Sequence, residues 1–309
     1  MKPLTLCLDP PVATPPSMRV LDDHASHVIV EGVVEGDLCE ALSLHPRAES
    51  LCVRNSWVRL GGDGTRSYPA VRTLVIRNVW MDEPLDVSRL VALLPNLQIL
   101  VLCDVCDVVM THHLARLRSL EWLVMRRCAC AETLDLRAVP CHALSVDHRG
   151  GDVWLPTDVA VVRAPMHVLR DVTPRCIIIT EPSTVPLDDD DDCGEVFEKC
   201  EMLACTLESF PDAVGVVDGP DMALVIEVDT DGTAEELDRV RSAVAGGRIR
   251  RVVFTCSRNS AVAARCANDL RGRLYPATGT LITYVTTGDP RLFIRCVCNT
   301  LPACLWNVF

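Results

Sequence analysis

The segment VRTLVIRNV at residues 71–79 indicates the fold of the chain, because two later segments repeat its pattern. LQILVLCDV at 97–105 and LEWLVMRRC at 120–128 also carry apolar residues at their first, fourth and sixth positions. Alternate residues of a strand face opposite sides, so the fourth and sixth residues share one face. Weaker copies begin at Ala48 and Cys141. The pattern predicts one strand-forming unit repeated along the chain.

The spacing of the copies is typical of a repeat protein. Successive fourth positions are separated by 23, 26, 23 and 21 residues. This pattern resembles the leucine-rich-repeat family, whose repeats span about 20–29 residues. Over residues 45–150 the resemblance implies an α/β fold: an irregular solenoid of stacked parallel strands with helical or extended returns. The fourth positions are Leu51, Leu74, Leu100, Leu123 and Leu144.

One family feature is mostly missing. Asparagine or cysteine normally follows the strand and forms a hydrogen-bonded ladder between repeats. Only Cys128 conforms here, so we expect an irregular solenoid. The ladder positions hold Ser56, Val79, Val105, Cys128 and Arg149.

The flanking segments suggest three regions. Residues 1–25 contain prolines that disfavour a helix or a central strand, and are expected to be a flexible arm. Residues 26–150 form the predicted solenoid. Within 151–309, helices are predicted at 233–247, with a Thr233–Glu236 capping box, and at 260–273. This region is either continued irregular repeats or a small C-terminal α/β domain. Its strand candidates are 159–164, 176–180, 202–207, 223–228, 251–256 and 280–285.

Charge and cysteine content narrow the class of protein. The 309 residues carry a net charge of -12, which disfavours general binding to nucleic acid or anionic membranes. No signal peptide is apparent, and the apolar stretch at 90–110 is too polar to span a membrane. We therefore expect an intracellular protein, cytoplasmic or nuclear, whose 17 cysteines are mainly reduced thiols.

The string GGDGT at 61–65 offers an enzymatic alternative. It resembles the nucleotide-binding signature of diacylglycerol and NAD kinases, in which glycines admit phosphate. Those families continue with a helix, whereas Pro69 follows here and favours a turn. A nucleotide-binding enzyme is thus the alternative to a non-enzymatic protein that needs no cofactor.

The sequence contains two groups of candidate metal ligands. Zinc binding by Cys103, Cys106, Cys128 and Cys130 stays open, although their spacing matches no compact zinc module. Asp229 and Asp231 suggest calcium, but the remaining ligands of a calcium loop are missing, so a turn explains them better. An acidic run at 188–192 is expected to be a solvated loop.

The repeat geometry predicts a binding face on the inner curve of the solenoid. There Trp122 is expected to be exposed beside a row of arginines, a combination enriched at protein interfaces. Arginines in an acidic protein suit an acidic or phosphorylated partner segment. The alternative is that these arginines are only solvated or paired with nearby acids. The predicted contacts are Arg54, Arg77, Val101, Trp122, Val124 and Arg126.

We therefore expect a protein–protein interaction module. Of the 30 basic residues, 28 are arginine, and this bias with high cysteine content resembles proteins of GC-rich large DNA viruses, poxviruses or herpesviruses. That resemblance implies a factor that binds a host protein. A GC-rich protozoan is an alternative source.

Overall fold

The computed structural model of the chain divides into two compact units, Met1–Pro156 and Thr157–Phe309. Each is α/β, and its main strands pair in parallel, as the sequence predicts. The described residues are 4–7, 26–33, 35–61, 66–105, 107–129, 133–148, 152–169, 172–180, 194–211, 214, 219, 221–228, 232–256, 260–274 and 280–284.

The first unit is dominated by a parallel sheet of seven strands whose order in space is their order along the chain. These seven are β1, β2, β4, β5, β7, β9 and β11. The strands of the unit are β1 (Leu4–Cys7), β2 (His27–Glu31), β3 (Gly36–Asp37), β4 (Ser50–Arg59), β5 (Thr73–Trp80), β6 (Leu85–Asp86), β7 (Ile99–Val105), β8 (Val108–Val109), β9 (Trp122–Cys128), β10 (Leu134–Asp135), β11 (Ala143–His148) and β12 (Val153–Trp154).

A column of leucines forms the centre of this unit. Leu74 lies in register with Leu100, and Leu100 lies in register with Leu123. Leu51 and Leu144 extend the column at its two ends, and all five side chains are buried. The alignment predicted from the repeat spacing is confirmed.

Short helical segments connect the strands. Helix α1 (Leu38–Leu44) begins at Asp37, whose carboxylate accepts the backbone N–H of Cys39 at 2.9 Å. Helix α2 (Val87–Leu93) begins in the same way at Asp86, and a 3-10 helix covers Thr111–Arg116. Such caps satisfy N–H groups that a helix start leaves unpaired.

The residues at the ladder position of the leucine-rich-repeat pattern form a buried column in this chain. Val79 pairs in register with both Ser56 and Val105, and all three are buried. Cys128, the conforming residue, donates its thiol to the Leu102 carbonyl at 3.3 Å. Apolar packing of Val79 and Val105 therefore stands where the leucine-rich-repeat pattern has its polar ladder, which the sequence predicts to be mostly missing.

The second unit also orders its parallel strands as they occur in the chain. The capping box of α4 is present: Thr233 Oγ1 accepts from the Glu236 N–H at 3.2 Å, and Glu236 Oε2 accepts from the Thr233 N–H at 2.7 Å. The elements are β13 (Val161–Ala164), a 3-10 helix (Met166–Val168), β14 (Cys176–Ile179), α3 (Gly194–Phe197), β15 (Met202–Thr206), β16 (Met222–Glu227), α4 (Ala234–Ala245), β17 (Ile249–Thr255), α5 (Ser260–Leu274) and β18 (Leu281–Tyr284).

Several predicted features fall partly or wholly outside the described residues. Within the predicted arm, Leu4–Cys7 form strand β1, which pairs with β2, whereas its proline-containing part is outside. The acidic run at 188–192 and the calcium candidates Asp229 and Asp231 are outside as well.

Candidate protein-binding face

The sheet of the first unit has a leucine side and an opposite side, which strand β5 illustrates. Leu74 and Ile76 are buried, whereas Thr73 and Val75 are half-buried and Arg77 is exposed. This alternation follows from the pleat of a strand. The predicted binding residues belong to the side opposite the leucines.

Charged side chains form a row across that opposite side. Arg77 lies in register with Arg54 on one neighbouring strand and with Cys103 on the other. Cys103 is in turn in register with Arg126, and the row ends at Glu31 and Asp147. Since neighbouring strands lie about 4.8 Å apart, Arg126 is roughly 10 Å along the row from Arg77. The three arginines therefore share one row, as the repeat spacing predicts.

The arginines differ in their surroundings. Arg54 donates to Glu31 at 2.7 Å, and its side chain is about half covered. Arg126 is half-buried. Arg77 is exposed and has no hydrogen-bond or ion-pair partner within the described part of the chain. Because Arg54 is paired with Glu31, Arg77 is the arginine of this strand pair whose charge is not balanced by a described partner.

The prediction that Trp122 is exposed is wrong. Its side chain is only 3% exposed, and Val101 and Val124 are completely buried. Central strands of parallel sheets are usually covered on both faces, and β7 and β9 follow that rule. Val101 and Val124 lie in register, and Trp122 precedes Val124 by two residues on β9, but all three form packed interior rather than a surface.

A second row, which the sequence analysis missed, follows the arginines. Asn55 and Asn78 have left-handed backbones, with φ of 49° and 50°. Asn78 Nδ2 donates to Asn55 Oδ1 at 2.8 Å, and Asn55 Nδ2 donates to Glu31 at 3.3 Å. Asparagine adopts this conformation more readily than most residues. A polar ladder therefore exists, one position before the one that the family pattern predicts.

Two exposed tryptophans lie beyond the asparagines on the same two strands. Trp57 and Trp80 lie directly across from each other on β4 and β5 and are 47% and 53% exposed. Trp57 Nε1 donates to Asp82 at 2.9 Å, which fixes the orientation of that indole. The signal was present in the sequence: Arg-Asn-x-Trp occurs at 54–57 and again at 77–80.

A cleft of about 450 Å³ borders the tryptophans through Asp82. Its lining includes Gly61, the first residue of GGDGT, while residues 62–65 lie outside the described chain. Gly61 has a φ of 64°, and a Cβ there would collide with the Asp37 carboxylate. The room left by this glycine is thus occupied by an acid, the Asp37 carboxylate. Arg59 pairs with that acid at 3.3 Å.

Ten cysteines whose side chains the structure describes carry thiol groups, and nine of them, all except Cys52, are buried. Burial raises the pKa of Cys141 and of Cys200 to about 12, which keeps both protonated and unreactive. Among the described residues no group of His, Cys, Asp and Glu is arranged to hold a metal. Of the four cysteines in the zinc hypothesis, Cys103 and Cys128 are described, whereas Cys106 and Cys130 lie outside the described residues.

Comparisons with models of known families, with curated proteins and with solved structures gave no match. Within the described part of the chain, every helix is too short or too polar to cross a lipid bilayer.

Proposed function

We propose that this chain is a non-enzymatic protein–protein interaction module built as an irregular, leucine-rich-repeat-like solenoid. Three features support the solenoid: parallel strands in chain order, a buried leucine column, and short helical returns. Each repeat buries its apolar face only against its neighbours, as in other stacked repeat proteins.

The observation that carries the functional proposal is the environment of Arg77. An exposed guanidinium stands beside Arg54 and has no partner among the described residues. Guanidinium groups bind carboxylates and phosphates through paired hydrogen bonds. We therefore propose a protein partner with an acidic or phosphorylated segment, contacted by Arg77 and by the row containing Arg54 and Arg126.

The buried residues have a supporting role in this proposal. Val101, Trp122 and Val124 hold the strands that carry the arginines and do not themselves touch the partner. If the arginine and cysteine bias reflects a large DNA virus, the partner is a host protein in the cytoplasm or nucleus.

Charge reversal with affinity purification tests the proposal. The variant Arg77→Glu is compared with Arg118→Glu, an exposed arginine in the turn before β9. We expect partner recovery to fall at least about tenfold for Arg77→Glu, as for an interface hot spot, and to be unchanged for Arg118→Glu. Equal recovery with both variants would contradict the proposal.

A nucleotide screen addresses the enzymatic alternative. Ligands that bind only the folded state raise its melting temperature. We expect no rise with ATP or NAD, because Asp37 occupies the space at Gly61. A clear rise that Asp37→Ala enhances would instead favour nucleotide binding at this cleft.

A further inference from the structure

The duplicated Arg-Asn-x-Trp segments place three pairs of like residues side by side on strands β4 and β5. Arg54 stands beside Arg77, Asn55 beside Asn78, and Trp57 beside Trp80. Asn78 donates to Asn55, and Trp57 donates to Asp82. These contacts hold the asparagine pair and the Trp57 indole in place before any partner arrives.

Exposed tryptophan pairs are unusual on a protein surface. Large exposed apolar groups mark interaction sites, and tryptophan with arginine is the combination most enriched at binding hot spots. Trp57 and Trp80 both expose about half of their surface, and they lie on adjacent strands. Together they present a broad apolar platform next to the arginine row.

The distance between Arg77 and Trp80 sets the length of peptide that can contact both residues. Arg77 precedes Trp80 by three residues, so their Cα atoms are at most about 11 Å apart, and the left-handed Asn78 shortens this distance. An extended peptide spans about 11 Å in three residues. A carboxylate or phosphate over Arg77 would thus place a side chain two or three positions away near the tryptophans.

We propose that this surface binds an extended acidic peptide of a partner protein, with an apolar side chain about three residues from the acid. The acid satisfies Arg77, and the apolar side chain packs on Trp57 and Trp80. This inference rests on the proposed function and specifies the partner chemistry of that site. The net charge of -12 favours a peptide over a nucleic acid, whose many phosphates the rest of the chain would repel.

Selection from a displayed library of random peptides on the full chain tests this inference. Selected peptides are then measured against wild type, Trp80→Ala, Arg77→Glu and the control Trp154→Ala, which removes another exposed tryptophan of the same unit. Melting temperatures of the variants establish that all of them fold.

We expect the selected peptides to share an acid and an apolar residue about three positions apart. Trp80→Ala and Arg77→Glu should each weaken binding at least about tenfold, and Trp154→Ala should not. Peptides that depend on Arg77 but not on Trp80 would overturn this inference and leave the proposed function standing. Peptides insensitive to both variants, or no enriched peptides, would contradict both. Binding of oligouridine that is lost in Trp80→Ala would overturn the peptide assignment in favour of single-stranded nucleic acid.

Discussion

The carboxylate of Asp37 lies in the space that a side chain at Gly61 would need. Asp37 also caps helix α1 and pairs with Arg59. One acid therefore connects the start of a helix to the end of strand β4, and glycine at position 61 makes that connection fit.

Replacing Gly61 by alanine should destabilise the fold for two reasons. The left-handed backbone costs a non-glycine residue about 1 kcal/mol, and the collision with Asp37 adds roughly 1–3 kcal/mol. Gly247→Ala is the matched control, because Gly247 also has a positive φ but open space around its Cα. Chemical denaturation of both variants measures the difference. Equal losses of unfolding free energy would show that the contact with Asp37 does not matter.

The double variant Asp37→Ala/Gly61→Ala should be more stable than the sum of its single changes predicts. Asp37→Ala alone loses a helix cap, worth about 0.5–2 kcal/mol. In the double variant the collision is absent, so the coupling free energy should be at least about 0.5 kcal/mol. Strict additivity in the denaturation cycle would argue against the packing described.

The leucine column should dominate the stability of the first unit. Leu100 lies at its centre and is completely buried, so Leu100→Ala should cost about 2–5 kcal/mol. The exposed Ser119→Ala should change stability by less than about 0.5 kcal/mol. Urea unfolding of both variants checks the contrast, and a small loss for Leu100→Ala would mean that the column does not form the core.

The sequence predicted the repeated part of the fold well because burial imposes a period on the residues. The residues at positions 74, 100 and 123 must be apolar to fill one buried column, so the spacing of these leucines can be recognised from the amino-acid sequence alone. The same holds for the Thr233–Glu236 capping box, whose two hydrogen bonds require those residue types at that spacing.

The candidate binding face was predicted less well, because strand alternation tells which side of the sheet a side chain lies on but not whether that side is exposed to solvent. Alternation placed Trp122 on the side opposite the leucines, but other residues pack against that side and Trp122 is buried. Trp57 and Trp80 follow the left-handed Asn55 and Asn78, beyond the point where simple alternation applies. The repeated Arg-Asn-x-Trp string was the available signal for them.

The buried thiols should resist alkylation in the native protein. Because burial raises the pKa of Cys141 and Cys200 to about 12, almost no thiolate exists at either site near pH 8. Iodoacetamide labelling followed by mass spectrometry should find both unmodified, and labelled only after unfolding. Rapid native labelling of either residue would contradict its burial.

The same thiols should make the fold sensitive to alkaline pH. Their pKa is higher in the folded than in the unfolded chain, where it lies near 9, so the folded state holds these protons more tightly. The stabilisation is complete below about pH 9 and falls between about pH 9 and 12, by up to about 1.4 kcal/mol per pH unit for each thiol. Cys141→Ala should flatten this part of the stability profile, measured by urea unfolding. An unchanged slope would contradict the linkage.

Arg248 should be essential for the second unit. Its buried guanidinium donates to the Cys200 carbonyl at 3.0 Å and to the Phe197 carbonyl at the end of α3. Arg248→Ala removes the donor to the Cys200 carbonyl and leaves the Phe197 carbonyl with only the Cys200 N–H, and it should cost about 2–4 kcal/mol. The exposed Arg250→Ala, which loses only a surface ion pair with Asp221, should cost at most about 1 kcal/mol. Similar losses in thermal unfolding would refute this assignment.

The arginine row of β4 and β5 is proposed to contact another protein, and photo-crosslinking can detect that contact. A photo-crosslinking residue at position 75 lies on the same side of β5 as Arg77, two residues before it, and leaves the arginine in place. The same residue at position 118 is the control. Mass spectrometry should identify an adduct between position 75 and an acidic or phosphorylated segment of a partner, with no such adduct at position 118. Equal adducts at both positions, or none at position 75, would mean that this row does not bind such a partner.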